Sequence, residues 1–446
     1  MTASDARHVR RTFLVLCATR WLPTGVTIPV LFVLLQQRGL SLAEIGLVSG
    51  LGSAVVALLE LPTGGLADAL GRRPVLLLAG VLSLCSTTIV AFSSSVTLFV
   101  LAWTIEGVFR ALDSGPLEAW FVDETLAADP AADIEAGLAA ESVVISAAIA
   151  TGALLGGLLA LPPAPGGLPT LAVPVLLAIA LRVVDLAAVW TLLAEHRAAG
   201  PADVGRARAA LRSVRGSGRT VREALGLLRA SQALLALAAI ELLWGAGMNG
   251  VEMLSGPRMV ELVGDPSDGV AAYALTAAAA WSISGAGAAA APWVARRTGS
   301  WVAAAIVTRV AQGGGVMLAV VLAGPTGLVL GYAGFYLVHG AANVAHYGLM
   351  HRHTSAAHRA TMVSVNSLTS RLGGVIAAPV LGAIAAGQGL VTAFAVSAVI
   401  LVLPAPLYLR AAVPGDSGGR PAEPVRPVPE VRTELGGLQH AELGTE

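Results

Sequence analysis

Ionisable side chains inside long apolar runs are the residues of this chain that could do chemistry. Glu106, Arg110 and Asp113 recur at i, i+4 and i+7, which places three charges on one helix face. Such a set can neutralise itself, or one of its carboxylates can load and release a proton. Both readings stay open. Glu118 turns away from that face, and Asp123 falls at the expected membrane boundary. Glu241 and Glu252 lie in a second apolar run. Their spacing of eleven residues, at ~100° each, returns them to within about 20° of one another, with Met248 on the same stripe. A carboxyl shielded from water is the usual kind of proton carrier. Glu241 is the stronger candidate, because Glu252 is expected nearer the outer surface, where a vestibule hydrogen bond explains it equally well.

A third set alternates by steps of four and three: Tyr332, Tyr336, His339, Asn343 and His346. This stripe could line a pocket for a planar or amphipathic compound, or hold helices together. Ser364, Ser367 and Arg371 share another face. Arg182 and Asp185, three apart, read as a structural pair, and Arg309 completes the membrane arginines. Arg20 and Arg371 have no local partner. Each is expected to pair with a carboxylate on another helix or to meet an anionic substrate.

The elements that must position these groups follow from composition. Of 446 residues, 55% are hydrophobic and 13% charged, and the mean hydropathy is +0.75. Soluble domains carry about 25% charge, so this chain belongs in a bilayer. A spanning helix needs ~20 apolar residues. Twelve candidates fit: Thr12–Gln36, Ala43–Leu66, Pro74–Phe92, Val96–Val122, Ala139–Leu161, Leu171–Ala194, Gln232–Leu254, Val270–Ala295, Trp301–Ala323, Gly327–Met350, Thr361–Gly387 and Val391–Ala411. Strands would alternate in shorter segments, so the expected fold is an all-α membrane protein with twelve transmembrane helices. Its division is a six-helix bundle over 1–194, a cytoplasmic central loop over 195–231, a second six-helix bundle over 232–412 and a disordered cytoplasmic tail over 413–446. Within the loop, Arg219–Ala230 reads as a short amphipathic helix through Val221, Leu225 and Leu228. All the basic residues are arginines. With the N-terminus inside, only Arg38 and Arg258 fall on the outer side, so both termini are expected in the cytoplasm. Thr12–Gln36 reads as a retained span rather than a cleaved leader.

One loop names a family. Gly64-Gly65-Leu66-Ala67-Asp68-Ala69-Leu70-Gly71-Arg72-Arg73 follows the second span and resembles the signature loop of the major facilitator superfamily, with Ala69 where the pattern has arginine. In physical terms Asp68 could accept hydrogen bonds at a neighbouring helix N-terminus, and Arg72 and Arg73 would sit at the anionic inner leaflet. A faint echo, Val294-Ala295-Arg296-Arg297-Thr298-Gly299, follows the eighth span, as parallel repeats in the two halves would require. The resemblance implies a central cavity, rocker-type alternating access, and a conformational-switch role for Gly64, Asp68, Gly71, Arg72 and Arg73. It also implies a family arginine at Arg110, with Gly115 one residue further on than usual. Gly152, Gly156 and Gly157 are similar to the glycine pattern of drug–proton antiporters, without its proline.

The expected function is proton-coupled export of a hydrophobic or amphipathic small molecule. The proton would be carried among Glu106, Arg110, Asp113, Glu241 and Glu252, and the substrate held by Arg20, Tyr332, Tyr336, His339, Asn343 and Arg371. The alternatives are proton-coupled uptake of a nutrient or organic anion, and a membrane sensor or scaffold that moves nothing. A zero formal charge offers no field for nucleic acid. No phosphate-binding Gly-x-x-x-x-Gly-Lys occurs, so ATP-driven pumping is not expected. The Gly415–Gly419 segment has nucleophile-elbow spacing without a strand and helix around it. His351, His353 and His358 read as a solvated loop rather than a metal site. No enzyme activity, metal or cofactor is expected. The expected partners are the lipid bilayer, a small-molecule substrate and protons, handled by a monomer in the plasma or inner membrane.

Overall fold

In a bilayer core each backbone N–H and C=O must find its partner within the protein, and a helix does this within one segment. The computed structural model describes residues 3–63, 66–163, 169–195, 222–355 and 358–412, and these contain helices and no strand. In order they are α1 (Ala3–Thr27), α2 (Leu31–Gln37), α3 (Leu42–Thr63), α4 (Leu66–Leu70), α5 (Arg72–Phe92), α6 (Val96–Asp113), α7 (Pro116–Ala128), α8 (Ile134–Leu159) and α9 (Ala172–Leu192). Then come α10 (222–230), α11 (Gln232–Val263), α12 (Pro266–Thr298), α13 (Trp301–Val321), α14 (Gly324–Arg352), α15 (Arg359–Gln388), α16 (Leu390–Val402) and a 3₁₀ turn over Ala405–Ala411. Large apolar side chains face outward: Leu58, Phe92, Val143 and Val321 are 68–73% exposed, which suits a lipid surface and not water.

Eleven helices among the described residues are long and apolar enough to cross a membrane. The expected first span bends, with α1 and α2 meeting in a short turn over 28–30. The expected fourth span, Val96–Val122, is not one helix. It breaks at Ser114–Gly115 into α6 and α7, because Gly115 takes φ 95° and Pro116 opens the new helix at a position needing no amide donor. α6 also carries Glu106, Arg110 and Asp113 within its 18 residues. The helix expected over Arg219–Ala230 is described over 222–230. It packs through Ala224, Leu227 and Leu228, while Leu225 is exposed, so the buried stripe is not the one through Val221, which lies outside the described residues. The disordered tail expected from 413 onward is outside them too.

α1 packs on α8 and α9, α5 on α6 and α9, and α3 on α6; later, α11 packs on α12, α15 and α16, and α13 on α14 and α16. Two main seams join these groups, α3 with α15 and α8 with α12, and α2 also touches α11. The α3–α15 seam is closest where α3 begins and α15 ends. There a Cβ on Gly46 would overlap the Ala378 carbonyl, and one on Gly50 would crowd the Pro379 ring. Only glycine lets the two backbones approach this closely. Gly46→Leu is therefore expected to force the helices apart and to destabilise the purified protein by about 1–3 kcal/mol. Thermal unfolding in detergent checks this, and an unchanged midpoint would contradict the close approach.

Candidate functional site

A cavity of about 460 Å³ lies between the two groups of helices. α1, α3, α5 and α6 supply one wall, with Thr24, Ser53, Thr87 and Trp103 among its residues, and α11, α12, α14 and α15 supply the other. Its opposite face is aromatic: Tyr273, Trp281, Tyr332 and Tyr336. Tyr273 meets Tyr332 edge-on with ring centroids 5.7 Å apart, and their hydroxyls lie 3.2 Å apart. Such walls hold flat or amphipathic bodies while leaving hydroxyls to fix orientation. Five ionisable residues open into the same space: Glu106, Arg110, Arg182, Glu252 and Arg371.

The structure divides the fourth-span set. Glu106 Oε1 accepts from Arg110 Nε at 3.0 Å, an i,i+4 pair on α6. Asp113, one turn on, instead meets Arg20 of α1, with Nε and Oδ1 2.5 Å apart. Arg20 is 4% exposed and does not line the cavity; its pairing with Asp113 spends the charge that could have met a substrate. Arg182 and Asp185 do not pair with each other. Both reach α1: Arg182 donates to the Arg20 carbonyl at 3.3 Å and to Thr24 Oγ1 at 3.0 Å, and Asp185 accepts from Thr19 Oγ1 at 3.0 Å.

Glu241 and Glu252 share a stripe of α11 but have different surroundings. Glu252 opens into the cavity and accepts from the Tyr336 hydroxyl at 3.2 Å. Glu241 is buried elsewhere, 3.5 Å from His346 Nε2. The stripe on α14 splits likewise. Tyr332 and Tyr336 line the cavity; His339, Asn343 and His346 do not. They belong to a buried chain centred on Arg309. One branch runs from Arg309 to the Tyr408 hydroxyl (3.2 Å), on to His346 Nδ1 (3.0 Å), and from His346 Nε2 to Asn366 Oδ1 (3.0 Å). The other runs from Arg309 to Gln312 Oε1 (2.9 Å), from Gln312 Nε2 to His339 Nδ1 (3.1 Å), and from His339 Nε2 to the Asn343 amide (3.1 Å). Trp244 stacks on His339 with centroids 5.5 Å apart and lies under the Arg309 guanidinium. Gln312, Asn366, Tyr408 and Trp244 are not singled out by the sequence pattern. Only Gln312 left a signal there, three residues after Arg309.

In the signature loop Gly71 takes φ 97° ahead of α5. Arg72 Nη1 lies 2.5 Å from Asp123 Oδ2, and its backbone N–H donates to Glu195 at 2.9 Å. Arg73 donates to the Trp190 carbonyl and lies over that indole ring. Gly64 and the Asp68 side chain fall outside what is described. Among the loop histidines, His353 meets the Ala411 carbonyl at 3.0 Å and His358 the Ser355 hydroxyl at 2.9 Å.

The sequence profile of the Major Facilitator Superfamily matches residues 13–342. This chain belongs to that superfamily. No curated protein sequence matches it. Among solved structures, the superfamily protein is similar in fold to the nucleoside transporter NupG (TM-score 0.74, 13% identity, covering 90% of this chain and 98% of that one). It is similarly close to a bacterial homologue of the human lysosomal transporter Spinster in an inward-facing, occupied conformation (0.73, 15%, 95% and 100%). A third neighbour is the human organic anion transporter MFSD10 (0.59, 19%, 90% and 99%). At these identities the likeness establishes fold, and the site must be argued from its own residues.

Removing one partner of a buried ion pair strands the other charge. Arg20→Ala and Asp113→Ala are each expected to destabilise this superfamily member by about 3–5 kcal/mol. The double variant should lose clearly less than the sum of the two. A double-mutant cycle from thermal unfolding measures this, and strict additivity would show that the pair contributes nothing.

Proposed function

We propose that this protein is a secondary active transporter that exports an amphipathic small molecule, a drug or secondary metabolite, in exchange for protons. The supporting observation is a cavity walled by helices from both parts of the chain and carrying both aromatic and ionisable groups. Two parts that rock about such a cavity expose it to each side in turn. In this reading α6 and α7 together make a twelfth crossing beside the other eleven. Residues 1–194 and 232–412 form the two six-helix bundles, the excess of inner arginines places both termini in the cytoplasm, and the protein sits in the plasma or inner membrane. It is not an enzyme, needs no cofactor, and works as a monomer, because one chain encloses the whole cavity.

Glu241 carries the proton. It lies beside His346 and outside the cavity lining, so proton and substrate need not compete for the same atoms. Glu106, Arg110, Asp113 and Glu252 remain candidates for a second role in coupling. The signature loop acts as the switch: Arg72 ties the start of α5 to Asp123 near the end of α7, and Arg73 ties it to α9. A second reading, proton-coupled uptake of a nutrient or organic anion, is favoured by the larger number of arginines than carboxylates on the cavity wall.

The test is accumulation of a varied panel of fluorescent and antibiotic compounds in an efflux-deficient bacterial host. Export predicts lower accumulation, abolished by an uncoupler and by Glu241→Gln. An effect lost with the uncoupler but kept in the variant would move the proton to another carboxylate. Raised accumulation would establish uptake instead, and no change for any compound, with the protein present in the membrane, would overturn the broad export reading.

A further inference from the structure

The two arginines without a local sequence partner end in different situations. Arg20 closes on Asp113. Arg371, on α15, opens into the cavity and makes no ion pair or side-chain hydrogen bond among the described residues. Ser367, one turn before it, is already committed: its hydroxyl donates to Glu60 Oε1 at 2.6 Å. The remaining ionisable groups of the wall are committed as well. Glu106 holds Arg110 at 3.0 Å, Arg182 is held by the Arg20 carbonyl and Thr24, and Glu252 accepts from Tyr336.

The lining itself holds three arginines, Arg110, Arg182 and Arg371, against two carboxylates, Glu106 and Glu252, a formal surplus of one positive charge (3 − 2) with both carboxylates ionised; Glu60, held by Ser367 behind the lining, offsets part of that field at Arg371 without occupying its donors. Protonating either carboxylate raises the surplus. A cleft with low-dielectric walls and one sign of excess charge concentrates ligands of the other sign. A guanidinium with a free edge presents a planar pair of donors that fits a carboxylate in two parallel hydrogen bonds. The rest of the wall, with Trp103, Trp281, Tyr332 and Tyr336, offers ring faces and few further polar groups. The volume, about 460 Å³, lies in the range that takes drug-sized ligands.

We propose that the cavity takes an amphipathic carboxylate, its anionic group on Arg371 and its apolar, ring-bearing body along the aromatic wall. This rests on transport through the cavity, in either direction, and narrows the substrate class. Arg371 then acts as a selectivity residue.

The test compares matched ligands that differ in one group. A panel of aromatic acetic acids, such as 1-naphthylacetate, is set against the corresponding primary amides and amines. Binding to the purified full-length protein is read by tryptophan fluorescence, and movement by counterflow in liposomes. The carboxylates are expected to bind about tenfold or more tighter than the amides and amines. Arg371→Gln is expected to weaken carboxylate binding about tenfold or more and amide binding far less, and Arg371→Lys to restore part of the preference. Both variants keep a long polar side chain, and amide binding reports that each is folded. Equal affinity for all three groups in the wild type, or an equal loss for all three in Arg371→Gln, would overturn the proposal. If none of these ligands binds while the cellular panel still shows uncoupler-sensitive movement of other compounds, the carboxylate class fails and the transport reading stands. If the cellular panel is also silent, both fail.

Discussion

A charge inside hydrocarbon must find a partner or water, and much of this structure follows from how each one does. The insertion cost of a lone arginine or aspartate near the bilayer centre is about 2.5–3.5 kcal/mol on translocon scales. The early helices answer with a direct ion pair, Arg20 with Asp113, and with Arg182 and Asp185 anchoring α9 to α1. The later helices answer differently. Arg309 is fully buried and meets its neighbours through neutral groups, Gln312 and Tyr408, which pass the polarisation on to His339 and His346. A buried hydrogen-bonded chain of this kind couples the elements that it runs through. It ties α13, α14, α15 and the final 3₁₀ turn into one unit, whereas Arg371 is left to the cavity.

Apolar run length was enough to read most of the helices, because a bilayer imposes one dimension on every span. Charge placement on a single helix was also legible: Glu106 and Arg110 pair as their spacing predicts. Partners across helices were not legible, since spacing along one helix says nothing about which other helix lies opposite. Hence Asp113 is grouped with its own helix although it belongs to Arg20, and Arg309, His339, Asn343 and His346 are visible in the sequence only as separate residues, not as one chain through α13, α14, α15 and Tyr408. The fourth span shows a local failure. Gly115-Pro116 is a strong turn signal, but the apolar run on both sides outweighed it. The stripe on α14 was seen as one surface, yet a helix of 29 residues is long enough for its two halves to face different neighbours.

Shape and chemistry part company in the comparisons. Folds overlap over nine-tenths of the chain at 13–15% identity, so packing of this kind tolerates almost any apolar sequence of the right period. The chemistry lies in the cavity wall, with its tyrosines, its Glu106–Arg110 pair and its open arginine.

The seam between α3 and α15 changes character along its length. At one end it is glycine, proline and backbone in close contact; toward the other it ends in a short hydrogen bond from Ser367 to the Glu60 carboxylate. Parting the first end bares carbon and already-paired amides, and asks for little beyond lost dispersion contacts. Parting the second strips a charged acceptor of its donor, worth about 1.5–3 kcal/mol. The joint therefore behaves like a zip fastener with a clasp at one end only. It parts more readily from the glycine side than from the clasp side, so the joint has unequal stiffness at its two ends before any ligand enters.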